Sequence, residues 1–249
     1  MNDTLIYGFH AVSKRLQKMP QGCLELLCQQ KRNPRLQSVI DLASQAAVPV
    51  KFESRETLTQ LCGSAKHQDC VLRIDAPSVA SYSFNECLQK INPESLFLIL
   101  DGVQDPHNLG ACLRTADACG VDAVIIPSDR AVQMNATVRK VAAGGAETVP
   151  LVEVTNIARS MRELQQAGVW IVGTSGDASD SLYDFSYTGP IALAMGSEGD
   201  GLRRLTLEAC DYRVKLPMQG AVESLNVSVA TGICLYEILR SRASAKSDK

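Results

Sequence analysis

Near the C-terminus a polar segment, Pro217 to Ser228, sits between an extended apolar stretch and a long apolar helix pattern. It holds Ser224, Asn226 and Ser228 within five positions. Ser224 or Asn226 could cap the helix that follows. One cap suffices, so the further polar groups need another reason. Leu225 between two of them suggests a loop whose backbone touches a ligand. Two comparable segments lie upstream, Asp101 to Gly110 and Met195 to Leu202. Each reads as strand end, polar loop, helix start. α/β proteins hold ligands there, because helix-start N–H groups point unpaired into the crevice. Three such junctions in one chain point to a catalytic site.

The middle segment reads G-x-x-G-x-G over Gly196 to Gly201, which is not the dinucleotide fingerprint G-x-G-x-x-G. No Walker pattern is present either. Turn geometry explains Gly196 and Gly201 but not Glu198 between them, which must find a donor or stay in water. In the first segment Asn108 suits a helix N-cap. Arg114, six residues on among small apolar residues, either reaches the surface or faces a phosphate. Gly144 and Gly145 are expected to end a helix in a left-handed turn. Thr137, Arg139 and Lys140 beside them are expected on a solvated helix face, with contact to RNA as the alternative.

These junctions need a scaffold. Strands are expected at 96–101, 123–126, 148–152, 169–173, 191–195 and 212–216. Helices are expected at 109–119, 137–142, 156–167, 202–209 and 227–240, with a frayed tail from Ser241. Apolar runs without strict alternation mark strands buried on both faces, hence a mostly parallel sheet. Before it, a small α/β unit is expected: helix from Gly8 to Gln17, strand Cys23 to Cys28, helix from Pro34 to Ala46, strand Val48 to Phe52, helix Arg55 to Cys62 stopped at Gly63, and strand Cys70 to Ile74. The division is 1–76 for the small unit, 77–94 for a Ser/Pro-rich linker with a short helix at 84–89, and 95–249 for the large domain.

The chain has 249 residues and a formal net charge of -2. Basic residues outnumber acidic ones in the first 76 positions, and counterion release rewards such local patches. No apolar run reaches the ~18 residues of a membrane span. The N-terminus lacks a signal-type pattern, so a cytoplasmic location is expected. The nine cysteines are scattered, without a C-x-x-C pair, and the three histidines lie far apart. Reduced core thiols and no metal are expected.

Taken together and in this order, the three segments resemble the SpoU/TrmH branch of the SPOUT RNA methyltransferases. The motifs are Asn108 to Arg114, Met195 to Leu202, and Leu216 to Gly220 through Ser224 to Ser228. The resemblance covers residues 95–240. Tyr7 to Val12 and the unit after it resemble the family's small RNA-binding domain, related to ribosomal protein L30e. One departure is His67-Gln68-Asp69, where the family commonly has His-Gln-Gly; it falls on a turn.

The resemblance implies a trefoil knot in the large domain, S-adenosyl-L-methionine as cofactor, and a homodimer whose active sites use both chains. It carries cofactor contacts onto Gly196, Leu216 and Leu225, and catalytic roles onto Asn108, Arg114, Glu198, Ser224 and Asn226. The implied reaction is methylation of a ribose 2′-hydroxyl in RNA. Length and domain order fit a guanosine of 23S ribosomal RNA; a tRNA ribose, or a silent RNA-binding relative, are the alternatives. Arg114 is the proton acceptor by resemblance. Arg is normally protonated, so holding a phosphate and the developing alkoxide is an equally sound role. Glu198 is expected to fix Arg114 or the loops, and Asn108, Ser224 and Asn226 to orient the ribose and the loop.

Overall fold

The structure is a computed structural model that describes residues 3–75 and 83–247. Its first part is a four-stranded sheet with strands β1 (Asp3–Tyr7), β2 (Cys23–Cys28), β3 (Val50–Phe52) and β4 (Cys70–Asp75), in the order β1-β4-β2-β3. Helices α1 (Phe9–Lys18), α2 (Pro34–Gln45) and α3 (Arg55–Cys62) cover it. Their ends follow local chemistry. Asn33 caps α2 ahead of Pro34, Ser54 caps α3, and Gly63 stops α3 at φ 62°. β1 was not expected from the sequence, because its five residues next to the N-terminus are too few to show a period. The turn before β4 forms despite its departure from the family pattern. Gln68 and Asp69 both take positive φ, 54° and 60°. Asp69 N–H donates to His67 Nδ1 at 3.1 Å, and Gln68 Oε1 accepts from Phe9 N–H at 2.9 Å.

Of the expected linker, residues 76–82 lie outside the described residues. Helix α4 (Phe84–Gln89) follows, opened by a capping box between Ser83 and Glu86. Next come β5 (Leu96–Asp101), α5 (Pro106–Ala118), β6 (Ala123–Pro127), α6 (Ala136–Ala142), β7 (Leu151–Val154), α7 (Ile157–Gln166), β8 (Trp170–Thr174), the two-residue β9 (Asp180–Ser181), β10 (Ile191–Gly196), α8 (Arg204–Glu208), β11 (Tyr212–Lys215) and α9 (Val227–Ser247). The seven strands from β5 onward form one sheet in the order β7-β6-β5-β10-β8-β11-β9, and every pairing is parallel.

β5 and β10 are buried along their whole length. Alternate residues of a strand face opposite sides, and both sides here are apolar. Leu98, Leu100, Leu193 and Met195 join Leu113 of α5 and Leu235 and Ile238 of α9. Phe97, Ile99, Ala192 and Ala194 join Met161 and Leu164 of α7. Burying a leucine or phenylalanine side chain contributes about 1.5–3 kcal/mol, so this two-sided core fixes where the strand ends, and the loops on them, stand.

Several boundaries differ from expectation. α5 begins at Pro106, because Asp105 takes the cap position and accepts from His107 N–H at 2.8 Å. Asn108 is therefore not a cap. The strand expected at 148–152 starts at Leu151, after a 3-10 turn over Gly145–Glu147. α9 stays helical through Ser247 rather than fraying from Ser241. α6 ends in left-handed backbone at Ala143 and Gly144, as the glycines suggested. Arg139 is not on a solvated face, however. It is buried and pairs with buried Glu147 at 2.9 Å.

That region receives the small sheet's side of the molecule. Lys14 Nζ meets Asp117 Oδ2 at 2.6 Å, and Thr148 donates to the other oxygen of Asp117. Lys140 Nζ lies 5.6 Å from the Tyr7 ring centroid. Gly144 takes φ 97°, a conformation that residues with a side chain rarely adopt, and a Cβ there would also crowd Lys14.

Candidate active site

β5 and β10 run side by side, with Asp101 paired to Gly196 at their C-terminal ends. Both end in loops that lead to helices. After β10 the chain turns back at once: Ser197 and Gly201 exchange two backbone hydrogen bonds of 3.1 Å. The returning Gly201 carbonyl lies over Gly196 and leaves no room for a Cβ there. This is why that position is glycine. The turn is held to β5 by Arg203, which reaches Asp101 at 2.6 Å and donates its backbone N–H to the same carboxylate at 3.2 Å. The Asp101 side chain is fully buried. Neither residue was singled out from the sequence, although an acid closing an apolar strand is a legible signal.

Asn226 joins the three segments. Its Nδ2 donates to Asn108 Oδ1 at 3.0 Å and to Glu198 Oε2 at 3.3 Å. Its Oδ1 accepts from Ser228 N–H at 3.0 Å and Ser228 Oγ at 2.6 Å, so the same side chain caps α9. Three of the five expected catalytic residues are thus in one hydrogen-bonded cluster. The donor that Glu198 needed is Asn226, not Arg114.

The other two stand apart within this chain. Ser224 is exposed on the loop before α9. Arg114 is exposed on α5, six residues after Asn108. At 3.6 residues per turn that places it about 240° around the helix from Asn108. Asn108 shares its side with Cys112, whose thiol lies 3.7 Å from Thr231 Oγ1 of α9.

The third loop leaves β11 and reaches α9 without regular structure. Residues 218–225 make no backbone–backbone hydrogen bond among the described residues. Leu216 and Leu225 are half-buried at its two ends. Free backbone groups between two apolar side chains suit a flat, polar-edged heterocycle such as an adenine ring. The residues present therefore fit the cofactor that the resemblance implies. No group of three or more metal-ligating side chains occurs among the described residues. All nine cysteines are free thiols, and burial pushes Cys112 up to about 11 and Cys234 up to about 12. No helix among the described residues is long and apolar enough to cross a membrane.

Comparison with known proteins identifies the family. The family model for the SpoU rRNA methylases matches residues 95–236. The chain belongs to the SpoU rRNA methylase family. A second family model, for the substrate-binding domain of RNA 2′-O ribose methyltransferases, matches residues 5–80. The 23S rRNA (guanosine-2′-O-)-methyltransferase RlmB of Shewanella oneidensis is 51% identical over 242 residues, 96% of this chain and 98% of that protein. RlmB of Vibrio parahaemolyticus is 47% identical over 247 residues, 99% of this chain and all of that one. Among solved structures, an RNA 2′-O ribose methyltransferase superposes with a TM-score of 0.80 at 28% identity, covering 97% of this chain and 89% of its own. The three motifs, Asn108 to Arg114, Met195 to Leu202, and Leu216 to Gly220 through Ser224 to Ser228, all lie within the residues of the SpoU match.

Proposed function

We propose that this protein methylates the ribose 2′-hydroxyl of a guanosine in 23S ribosomal RNA, using S-adenosyl-L-methionine. The observation that carries the reading is the Asn108–Asn226–Glu198 cluster in a chain whose full-length relatives bear that activity in their names. When bound, S-adenosylmethionine supplies an electrophilic sulfonium methyl group. Gly196, Leu216 and Leu225 would hold it, chiefly through backbone groups.

A ribose hydroxyl is a weak acid and a poor nucleophile. Alignment removes an entropic barrier worth up to ~7–11 kcal/mol. The cluster supplies that alignment, because each of its side chains is restrained by another. Arg114 carries the fixed positive charge. It holds the RNA phosphate and the alkoxide as the hydroxyl proton passes to water. Since Arg114 stands away from Asn108 on its own helix, it serves the site of a second protomer. Val229 and Tyr236 of α9 are 52% and 57% exposed and lie two turns apart on one side. This apolar stripe supports a two-fold dimer. The strand order, with β10 between β5 and β8, supports the family's knot. Residues 1–76 serve as the RNA-binding unit and 95–249 as the catalytic one, joined by 77–94. Such an enzyme works in the cytoplasm.

The test is to map 2′-O-methyl groups in RNA from cells lacking the protein, and then to restore them in vitro. One 23S guanosine should lose its ribose methyl group and regain it with pure enzyme and cofactor. Loss confined to tRNA, or methylation on a base, would overturn the reading.

A further inference from the structure

A cleft of about 210 Å³ opens between the ends of β5, β6 and β10, lined by Asp101, Gln104, Arg130, Ser197, Asp200 and Arg203. None of the roles above uses it. It lies on the side of the Gly196–Leu202 turn that faces β5, and no residue of the 218–225 loop lines it. Ser197 lines the cleft, and the next residue, Glu198, bonds Asn226. Whatever fills the cleft is therefore one residue away from the catalytic cluster.

We propose that this cleft receives the base of the nucleotide being methylated and selects guanine, an inference that rests on the methyl-transfer reading above. The argument is one of charge and edges. Arg203 and Asp101 are spent on each other. Gln104, Arg130 and Asp200 remain, exposed and without a hydrogen bond or ion pair among the described residues. A phosphate entering here would meet Asp200 and gain only one uncommitted cation. A neutral base with donors on one edge and acceptors on another meets both charges favourably. Guanine has that pattern. Its N1–H and N2–H donate side by side, and O6 and N7 accept side by side. A carboxylate takes the first pair, and a guanidinium serves the second. Adenine presents an acceptor at N1, which would face the Asp200 carboxylate and be rejected. Arg130 also holds left-handed backbone, φ 57°, which side-chain-bearing residues seldom adopt unless their surroundings impose it.

The test is single-turnover methylation of a ribosomal RNA fragment carrying guanosine, inosine or adenosine at the target position. Inosine lacks only the N2 amine. The wild-type rate should fall roughly tenfold or more with inosine, and further with adenosine. In Asp200→Asn the guanosine rate should drop to the inosine level, with no further loss when inosine is supplied. Asp200 is exposed, so the variant should fold; cofactor binding by calorimetry, run alongside, verifies this. Equal wild-type rates for guanosine and inosine would overturn the proposal while leaving the methyl-transfer reading intact. So would an Asp200→Asn enzyme that still discriminates. A wild-type enzyme that methylates none of the three would overturn both.

Discussion

Asn226 donates to Asn108 across 3.0 Å, a bond between residues 118 positions apart. It ties the start of α5 to the start of α9, and the same side chain caps α9 through its oxygen. The amide therefore divides its work, with nitrogen for the site and oxygen for the helix.

That division is separable by mutation. Asn226→Asp keeps an acceptor for Ser228 but removes the donor shared by Asn108 and Glu198, and sets two carboxylates against each other. Methyl transfer should fall by about 10²-fold, the size of losing an interaction of ~3 kcal/mol to a charged group. The melting temperature should change by less than about 3 °C, because the cap survives. Single-turnover kinetics and a thermal scan test the two halves.

Arg114→Ala should abolish methyl transfer, by ~10²-fold or more, with cofactor affinity nearly unchanged. Its exposure and its distance around α5 from Asn108 predict that structure is unaffected. Mixed dimers of Arg114→Ala and Asn226→Asp chains should recover up to about half the activity of the wild-type dimer, all of it from one intact site, if each site draws Arg114 from the partner. No recovery above either parent would place Arg114 in its own chain's site.

The buried Arg139–Glu147 pair makes a pH-dependent prediction. Burial raises the Glu147 carboxyl above its usual range, and Arg139 beside it opposes the rise. An acid raised on folding binds its proton more readily in the folded state, so acidification favours the fold and a rise in pH through the shifted value disfavours it. Arg139→Ala removes the opposing charge. It should cost about 3–5 kcal/mol at pH 7, and part of this should return at pH 5. Urea titrations at the two values would show it; a deficit equal at both would mean that Glu147 is not the group left uncompensated.

Tyr236→Asp places a carboxylate on the exposed stripe of α9 and should weaken self-association by several kcal/mol. Sedimentation at micromolar concentration should show folded monomers. A variant that remains a dimer of wild-type affinity would put the interface elsewhere.

Much of this was legible in the chain itself. β2, α3 and α4 fall on the residues that their caps and apolar periods indicated, because those signals are local. The three polar loops were legible as strand-to-helix junctions for the same reason. What escaped depends on distant partners. Asn108 looks like a cap until Asp105 takes that position. Arg139 looks solvated until the 3-10 turn brings Glu147 beside it. Closer in sequence, Arg15 stands on the buried stripe of α1 with Ala11, Val12 and Leu16 at 1% exposure, and its guanidinium donates to the Gln21 carbonyl at 2.7 Å, a partner beyond the helix. The Asp101–Arg203 pair spans 102 positions, and no spacing rule reports it.

The position of β10 bears on how the chain is made. It is the middle strand of its sheet, yet it follows its neighbour β5 only after four other strands have been synthesised. The sheet of β1 to β4 can close while its own residues are still the newest to leave the ribosome. The large sheet cannot, since β5 and β8 have no common neighbour until Ile191 to Gly196 arrive. Late closure of so distant a pairing is slow and leaves unpaired edges exposed meanwhile. The nascent enzyme should therefore fold in two stages, with the Gly196 turn and the α9 start assembled in the second. A stalled chain ending before residue 191 would carry a finished RNA-binding sheet and no active site.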